Sequence, residues 1–116
     1  MSTRSLIGLK QDKQITFIYN HFDGYIKEGV GEFLYKKYKS EEKIKKLISR
    51  GNASSVISDE FYNEKDINIT DSEKSYIAEM DNFNAEYIYL FKNSDWYVSR
   101  GGRFKLLKEE IRKNKN

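Results

Sequence analysis

Two widely separated stretches of strict alternation constrain this chain more than any other feature. Ile15, Phe17 and Tyr19 alternate with Thr16, Ile18 and Asn20, and Tyr87, Tyr89 and Phe91 alternate with Ile88 and Leu90. Period two sends successive side chains to opposite faces of a strand, and β-branched and aromatic residues favour that geometry. The second run is apolar on both faces. Each run has a partner. Residues 5–9 precede the polar turn Gln11-Asp12-Lys13-Gln14, which reads as a hairpin with residues 15–20. Gly8 inside the first strand marks a bulge or a close backbone approach. Asn93-Ser94-Asp95 turns the chain into a returning strand at Trp96-Tyr97-Val98, which Gly101-Gly102 breaks.

The chain between these hairpins reads as helix and loop. Asp23-Gly24 is a turn dipeptide. Ile26, Val30, Phe33, Leu34 and Tyr38 follow at helical spacing. Gly29 and Gly31 each cost such a helix ~1 kcal/mol relative to Ala, so either its first turn packs closely or it starts nearer residue 30. Ser40 is a good N-cap, Glu41 and Glu42 complement the macrodipole, and Gly51 suits the C-terminal stop. Ile44, Leu47 and Ile48 form the inner stripe of this helix over 41–50. Lys43, Lys45, Lys46 and Arg50 lie outside it. Residues 59–68 read as an acidic loop. Thr70 and Glu73 have capping-box spacing ahead of a short helix carrying Tyr76, Ile77 and Met80. Phe104, Leu106, Leu107 and Ile111 suggest a last strand or helix, and residues 112–116 a charged tail.

These elements predict a single α+β domain over 1–116: an antiparallel meander of about four or more strands, with two to three helices on one face. Exposed edge strands are compatible with a homodimer or higher homo-oligomer. The length of 116 residues suits one domain, and 15% aromatics is too many for a disordered chain. No apolar run approaches the ~18 residues of a membrane helix. Met1-Ser2-Thr3-Arg4-Ser5 leads into too short an apolar stretch for a signal peptide.

Composition also removes whole classes of chemistry. With no Cys there is no disulfide, cysteine–zinc site or thiol nucleophile. A single histidine, His21, excludes multi-histidine metal sites and two-histidine phosphoesterase chemistry. No Gly-rich phosphate loop or serine-nucleophile elbow is present. The sequence therefore reads as a non-enzyme with no cofactor. The net charge of +3 hides a segregation: residues 51–86 carry 9 acidic and 2 basic side chains, between basic segments 1–50 and 87–116. A duplex-DNA binder shows one coherent basic face instead.

Four groups of residues stand out. His21 and Asp23 sit at a strand end, where an acid–base pair or a ligand contact would fit; the alternative is a turn carboxylate and a structurally bonded histidine. Tyr87, Tyr89, Phe91, Trp96 and Tyr97 are either sheet core or a stacking platform for a base. Lys outnumbers Arg 16 to 5, as in an AT-rich genome, so the retained Arg4, Arg50, Arg100 and Arg103 are informative. Guanidinium is a planar fork for phosphate, and Arg100-Gly-Gly-Arg103 could wrap a diphosphate, or be solvated charge. Ser54 and Ser55, after Gly51-Asn52, are either ligand donors or local caps.

Four ordered blocks carry a resemblance: Thr3-Arg4-Ser5-Leu6-Ile7-Gly8, Tyr19-Asn20-His21-Phe22-Asp23-Gly24-Tyr25, Gly51-Asn52-Ala53-Ser54-Ser55, and Glu86-Tyr87 through Trp96-Tyr97-Val98. Together they resemble a family of small phage and prophage proteins with the pattern TRS-x-IG, Y-x-H-W-D-G-Y, G-x-x-SS-L and EY-x-Y…WYV. The chain departs from it with Phe22 for Trp, Ile26 for Pro and Val56 for Leu. The family is similar to the first-described Thoeris anti-defence sponge proteins. That resemblance implies a β-sheet with two helices, dimers or higher oligomers, and a place in the host bacterial cytoplasm. It also implies sequestration, without cleavage, of glycocyclic ADP-ribose immune signals, with cyclic oligonucleotides at separate sites. On this reading Arg100, Arg103, Trp96, Tyr97, Asn52, Ser54 and Ser55 hold the ligand, His21 with Asn20 and Arg4 forms a second polar cluster that could lie at a subunit interface, and Asp23 is a further candidate ligand contact. Two rivals are a protein-binding inhibitor of host immunity of the anti-CRISPR type, using the acidic stretch as a nucleic-acid mimic, and a small ribonuclease.

Overall fold

The computed structural model describes residues 2–63 and 66–113. The chain runs β1 (Ser5–Gln11), β2 (Gln14–Asn20), α1 (Val30–Lys37), α2 (Glu41–Ile48), β3 (Ala53–Ser55), β4 (Glu60–Phe61), β5 (Asn68–Thr70), α3 (Glu73–Phe83), β6 (Tyr87–Lys92), β7 (Asp95–Ser99), β8 (Lys105–Leu106) and α4 (Leu107–Lys113). The α+β class and both hairpins follow the alternation in the sequence. Asp12 turns the first hairpin, and Asn93 and Ser94 the second, all three at positive φ.

The sheet is mixed rather than an antiparallel meander. Its order is β4-β3-β2-β1-β6-β7-β8, with β5 also paired to β2. The two outer hairpins are antiparallel, but β1 pairs β6 in parallel and β2 pairs β3 in parallel. Each parallel relation arises from a helical crossover, which returns the chain pointing the way it left. The segment β2–α1–α2–β3 is one crossover and β5–α3–β6 is the other.

The same crossovers put helices on both faces, not on one. One layer joins Ile7, Leu9, Ile18, Tyr89 and Phe91 of the sheet to Val30, Leu34, Ile44, Leu47, Ile48 and Leu107 of α1, α2 and α4. The opposite layer joins Leu6, Ile15, Phe17, Ile88 and Leu90 to Tyr76 and Met80 of α3. The two-sided apolar pattern of residues 87–91 is thus a strand covered twice.

Local signals fix the helix starts. Ser40 caps α2 by accepting from the Lys43 amide, and Ile44, Leu47 and Ile48 are buried as their spacing requires. Each such side chain contributes roughly 1.5–3 kcal/mol. Helix α1 begins at Val30, beyond Gly29. The cap of α3 is Ser72, which accepts from the Ser75 amide, and not Thr70, which ends β5. The acidic segment holds short strands, β4 and the start of β5, because their backbones pair with β3 and β2. Arg112 and Lys113 close α4 and are not tail; residues 114–116 lie outside the described residues.

Gly8 is required by a close approach. A Cβ there would stand 2.6 Å from the Tyr76 hydroxyl oxygen. That hydroxyl donates to the Tyr89 carbonyl at 2.6 Å, so α3 is locked to the middle of the sheet.

Candidate functional site

Strand register gathers most of the sequence-nominated residues at one end of the sheet. Ser5 stands opposite both Asn20 and Tyr87, Asn20 opposite Ala53, and Ile88 opposite Ser99. Arg4, His21, Asn52 and Arg100 therefore flank the same edge. Within that edge the residues separate by role.

Asn20 is fully buried and spent on the fold. Its amide donates to Ser5 Oγ at 3.3 Å and to the Phe22 carbonyl at 2.7 Å, and its Oδ1 accepts from the Val56 amide at 2.9 Å. Asn52 Oδ1 accepts from the Tyr19 amide and from Asn68 Nδ2. Ser55 Oγ accepts from the Ser58 amide, and the Ser54 carbonyl accepts from the Phe22 amide. Asn20 and Ser54 tie the 21–24 and 52–58 segments together, Asn52 joins β2 to β5, and Ser55 closes a local turn. Asp23 is an exposed turn residue at φ +61° whose carbonyl receives the Val30 amide. No hydrogen bond joins His21 to Asp23 among the described residues.

His21 is bonded to Tyr19 instead, with Tyr19 Oη 2.6 Å from Nδ1. Burial raises the Tyr19 pKa, against the opposing pull of the Arg4 charge, so its hydroxyl stays protonated and can donate. Tyr19 stacks on Phe83, and His21 stands edge-on to Phe22. Arg4 Nε is buried with no hydrogen-bond partner.

Trp96 belongs to the core. It is 2% exposed, donates from Nε1 to the Tyr38 carbonyl at 2.7 Å and meets Phe91 edge-on. An aromatic with its polar atom satisfied inside a layer offers no free platform to a base. Tyr97, the next residue along β7, points to the opposite face, where Lys92 Nζ lies 4.9 Å from its ring centroid. Neither ring shares a cavity with the arginines.

Arg100 and Arg103 do share one. A cavity of about 240 Å³ is lined by Ile26, Val98, Ser99, Arg100, Gly102, Arg103, Lys105 and Glu110. Ile26 and Val98 make a buried apolar floor, the 99–105 segment brings three cations, and α4 brings Glu110. The loop has a defined shape. Ser99 Oγ donates to the Gly102 carbonyl at 2.7 Å and accepts from the Gly101 amide at 3.0 Å. Gly101 sits at φ +120°, which a side chain would resist. The Arg100 guanidinium lies 5.0 Å over the Tyr87 ring centroid, which steadies it.

Three other hollows set their cations against carboxylates. A wider depression of about 610 Å³ at the far end of the β1–β2 hairpin sets Asp12 and Asp71 against Lys13 alone. A hollow of about 170 Å³ holds Lys10 and Lys92, both already paired with Glu73. Arg50, beside Phe61, is paired with Asp59. Among the described residues no group of three or more His, Cys, Asp or Glu could hold a metal ion. None of the helices among them is long and apolar enough to cross a membrane.

The sequence reading passed over Lys105 and Glu110. Lys105 was legible, since in an extended segment it falls on the side of Arg103. Glu110 carried no such signal, because its place depends on how α4 docks. The chain matches no family model, no curated protein and no solved structure.

Proposed function

We propose that this protein captures a phosphate-bearing nucleotide without transforming it, and that the ligand is a nucleotide immune signal of the glycocyclic ADP-ribose type held as a phage counter-defence. One observation carries the capture reading: Arg100, Arg103 and Lys105, all exposed, line one cavity with an apolar floor. Guanidinium–phosphate bonds are charge-assisted and strengthen where water is partly excluded. The choice of immune signal rests on the resemblance of the sequence blocks. The cavity, at about 240 Å³, is smaller than the ~300–1,000 Å³ of pockets that enclose a whole ligand. It therefore takes a phosphate and its neighbouring sugar, while the rest of the nucleotide lies outside, covered by a second copy of the chain in a homo-oligomer.

The acidic stretch supports the mimicry alternative less well. Glu73 is folded against Lys10 and Lys92, and Asp59 against Arg50, so part of its charge is neutralised by the basic segments. The test is calorimetry with ADP-ribose as probe, followed by heat denaturation and recovery of the ligand. Arg100→Ala and Arg103→Ala are expected to weaken binding more than tenfold, a loss of about 1.4 kcal/mol or more, with the ligand recovered intact. Unchanged affinity in both variants, or a consumed ligand, would refute the proposal.

A further inference from the structure

We infer that the free edge of β5 joins two copies of this chain, antiparallel about a two-fold axis at Ile69, so that their sheets run on into one another. In the sheet β5 is separated from β7 and β8 by β2, β1 and β6. The interface therefore neither depends on the ligand of the Arg100 cavity nor supplies the copy that covers it.

The backbone directions at this edge follow from β2. The Tyr19 amide donates to Asn52 Oδ1 and the His21 amide to the Ala53 carbonyl, both on the side away from β1. Backbone groups alternate sides along a strand, so Ile15 and Phe17 address the same side. They pair with Thr70 and Asn68. Thr70 and Asn68 thus spend their backbone groups on β2, and Ile69 between them turns its N–H and C=O outward. Among the described residues no other strand pairs with that edge, and no backbone hydrogen bond from another segment reaches Ile69. Such an edge is a template for a further strand.

The side chains agree. Ile69 is 61% exposed and Ile67 44%, and an extended segment sends both to one side. The two ends of the sheet are guarded differently. Strands β4 and β8 are two residues long and each carries a charge, Glu60 and Lys105, which discourages pairing. Strand β5 reads Asn-Ile-Thr and has no charge.

The occupant is a second copy because this edge is its own complement. One outward residue fixes one register: Ile69 opposite Ile69, each donating its N–H to the other's carbonyl. That register sets Asn68 opposite Thr70 and gathers Ile67 and Ile69 of both copies into one apolar strip. A strand of an unrelated protein has no such built-in match. The rim carries both signs, Lys13 with Asp12 and Asp71 around the adjoining depression, so a like surface does not meet a rim of one charge.

The experiment is sedimentation equilibrium of the full chain at micromolar concentration, with amide hydrogen exchange. Wild type is expected to be a dimer whose Ile69 amide gains protection as concentration rises. Ile69→Pro removes the outward N–H and no bond to β2, a position where an edge strand tolerates proline. Ile69→Lys sets like charges against each other at the axis. Both variants are expected to keep the wild-type circular dichroism and to weaken the dimer more than tenfold. Ile69→Lys changes only an exposed side chain, so it decides the matter should the proline variant not fold. A monomeric wild type overturns the inference and leaves the edge to a strand of another protein. A dimer that survives Ile69→Lys overturns it as well, because the interface then lies elsewhere. The readout is sedimentation and not ADP-ribose binding, so this inference and the ligand proposal fail separately.

Discussion

Around α3, Lys10 and Lys92 close on one carboxylate, with Nζ–Oε2 distances to Glu73 of 3.0 and 2.9 Å. On the opposite face, Arg100, Arg103 and Lys105 ring a cavity that they share with Glu110. Both clusters combine several cations with one carboxylate, but the geometry differs. The Glu73 carboxylate is enclosed by its lysines and fastens α3 to β1 and β6. The cations of the other cluster line a cavity, on a loop shaped by a serine hydroxyl and two glycines. Positive charge alone therefore says little about ligand binding; what matters is whether the cations border a cavity of useful size.

The sharpest way to break this contrast is at Gly8. Gly8→Ala places a Cβ 2.6 Å from Tyr76 Oη and 2.8 Å from its Cζ, both rigid and buried. Overpacking together with a strained Tyr76–Tyr89 bond is expected to cost about 3 kcal/mol in chemical denaturation. The loss belongs to the α3 face, so ADP-ribose affinity should hold at temperatures where the variant is folded. The converse comes next: Arg100→Ala should lose more than tenfold in nucleotide affinity while its unfolding free energy stays within about 0.5 kcal/mol of wild type.

A smaller effect is expected at Glu73→Gln. The cluster is partly exposed, so solvent screening limits the cost to about 1 kcal/mol, with no change in ligand affinity. The same residue gives a pH signature. Burial pushes the Glu73 carboxyl up, but hydrogen bonds and charge from Lys92 and Lys10 outweigh it, and its pKa falls below the ordinary 4.5. A depressed folded-state pKa contributes stability that is present above the unfolded value and lost as pH falls through the folded one. Wild type should thus lose stability more steeply than Glu73→Gln below about pH 4.5. Parallel curves would show that the lysines do not hold this carboxylate.

Much of the scaffold could be read from residue order because its causes are local. Alternation marked β2 and β6, and Ser40 with the Ile44–Leu47–Ile48 stripe marked α2; Gly8 marked a bulge or a close backbone approach, and what approaches it is the Tyr76 side chain, with no bulge in the register. Strand direction was not local. Nothing in residues 5–9 states that they will lie parallel to residues 87–91; that follows from α3 crossing the sheet between β5 and β6. The same applies to the site. Arg100 and Arg103 stood out by residue type, as a phosphate fork or as solvated charge, and both line one cavity. Trp96 could be read as core or as platform from composition and is core by context. Ser54 and Ser55 could be read as ligand donors or local caps, and Asn20 and Asn52 as ligand contacts; the fold uses Asn20, Asn52 and Ser55 through their side chains and Ser54 through its carbonyl.

The parallel seam between β1 and β6 has a consequence for how the molecule is made. The first strand is synthesised before its neighbour on that side, with some eighty residues between their starts. Until β6 emerges, β1 shows a raw edge carrying Leu6, Ile7 and Leu9, a template on which another nascent copy could pair. Pairing with β6 covers that edge, so a chain cut before Tyr87 is expected to leave β1 unpaired on that side and prone to self-association.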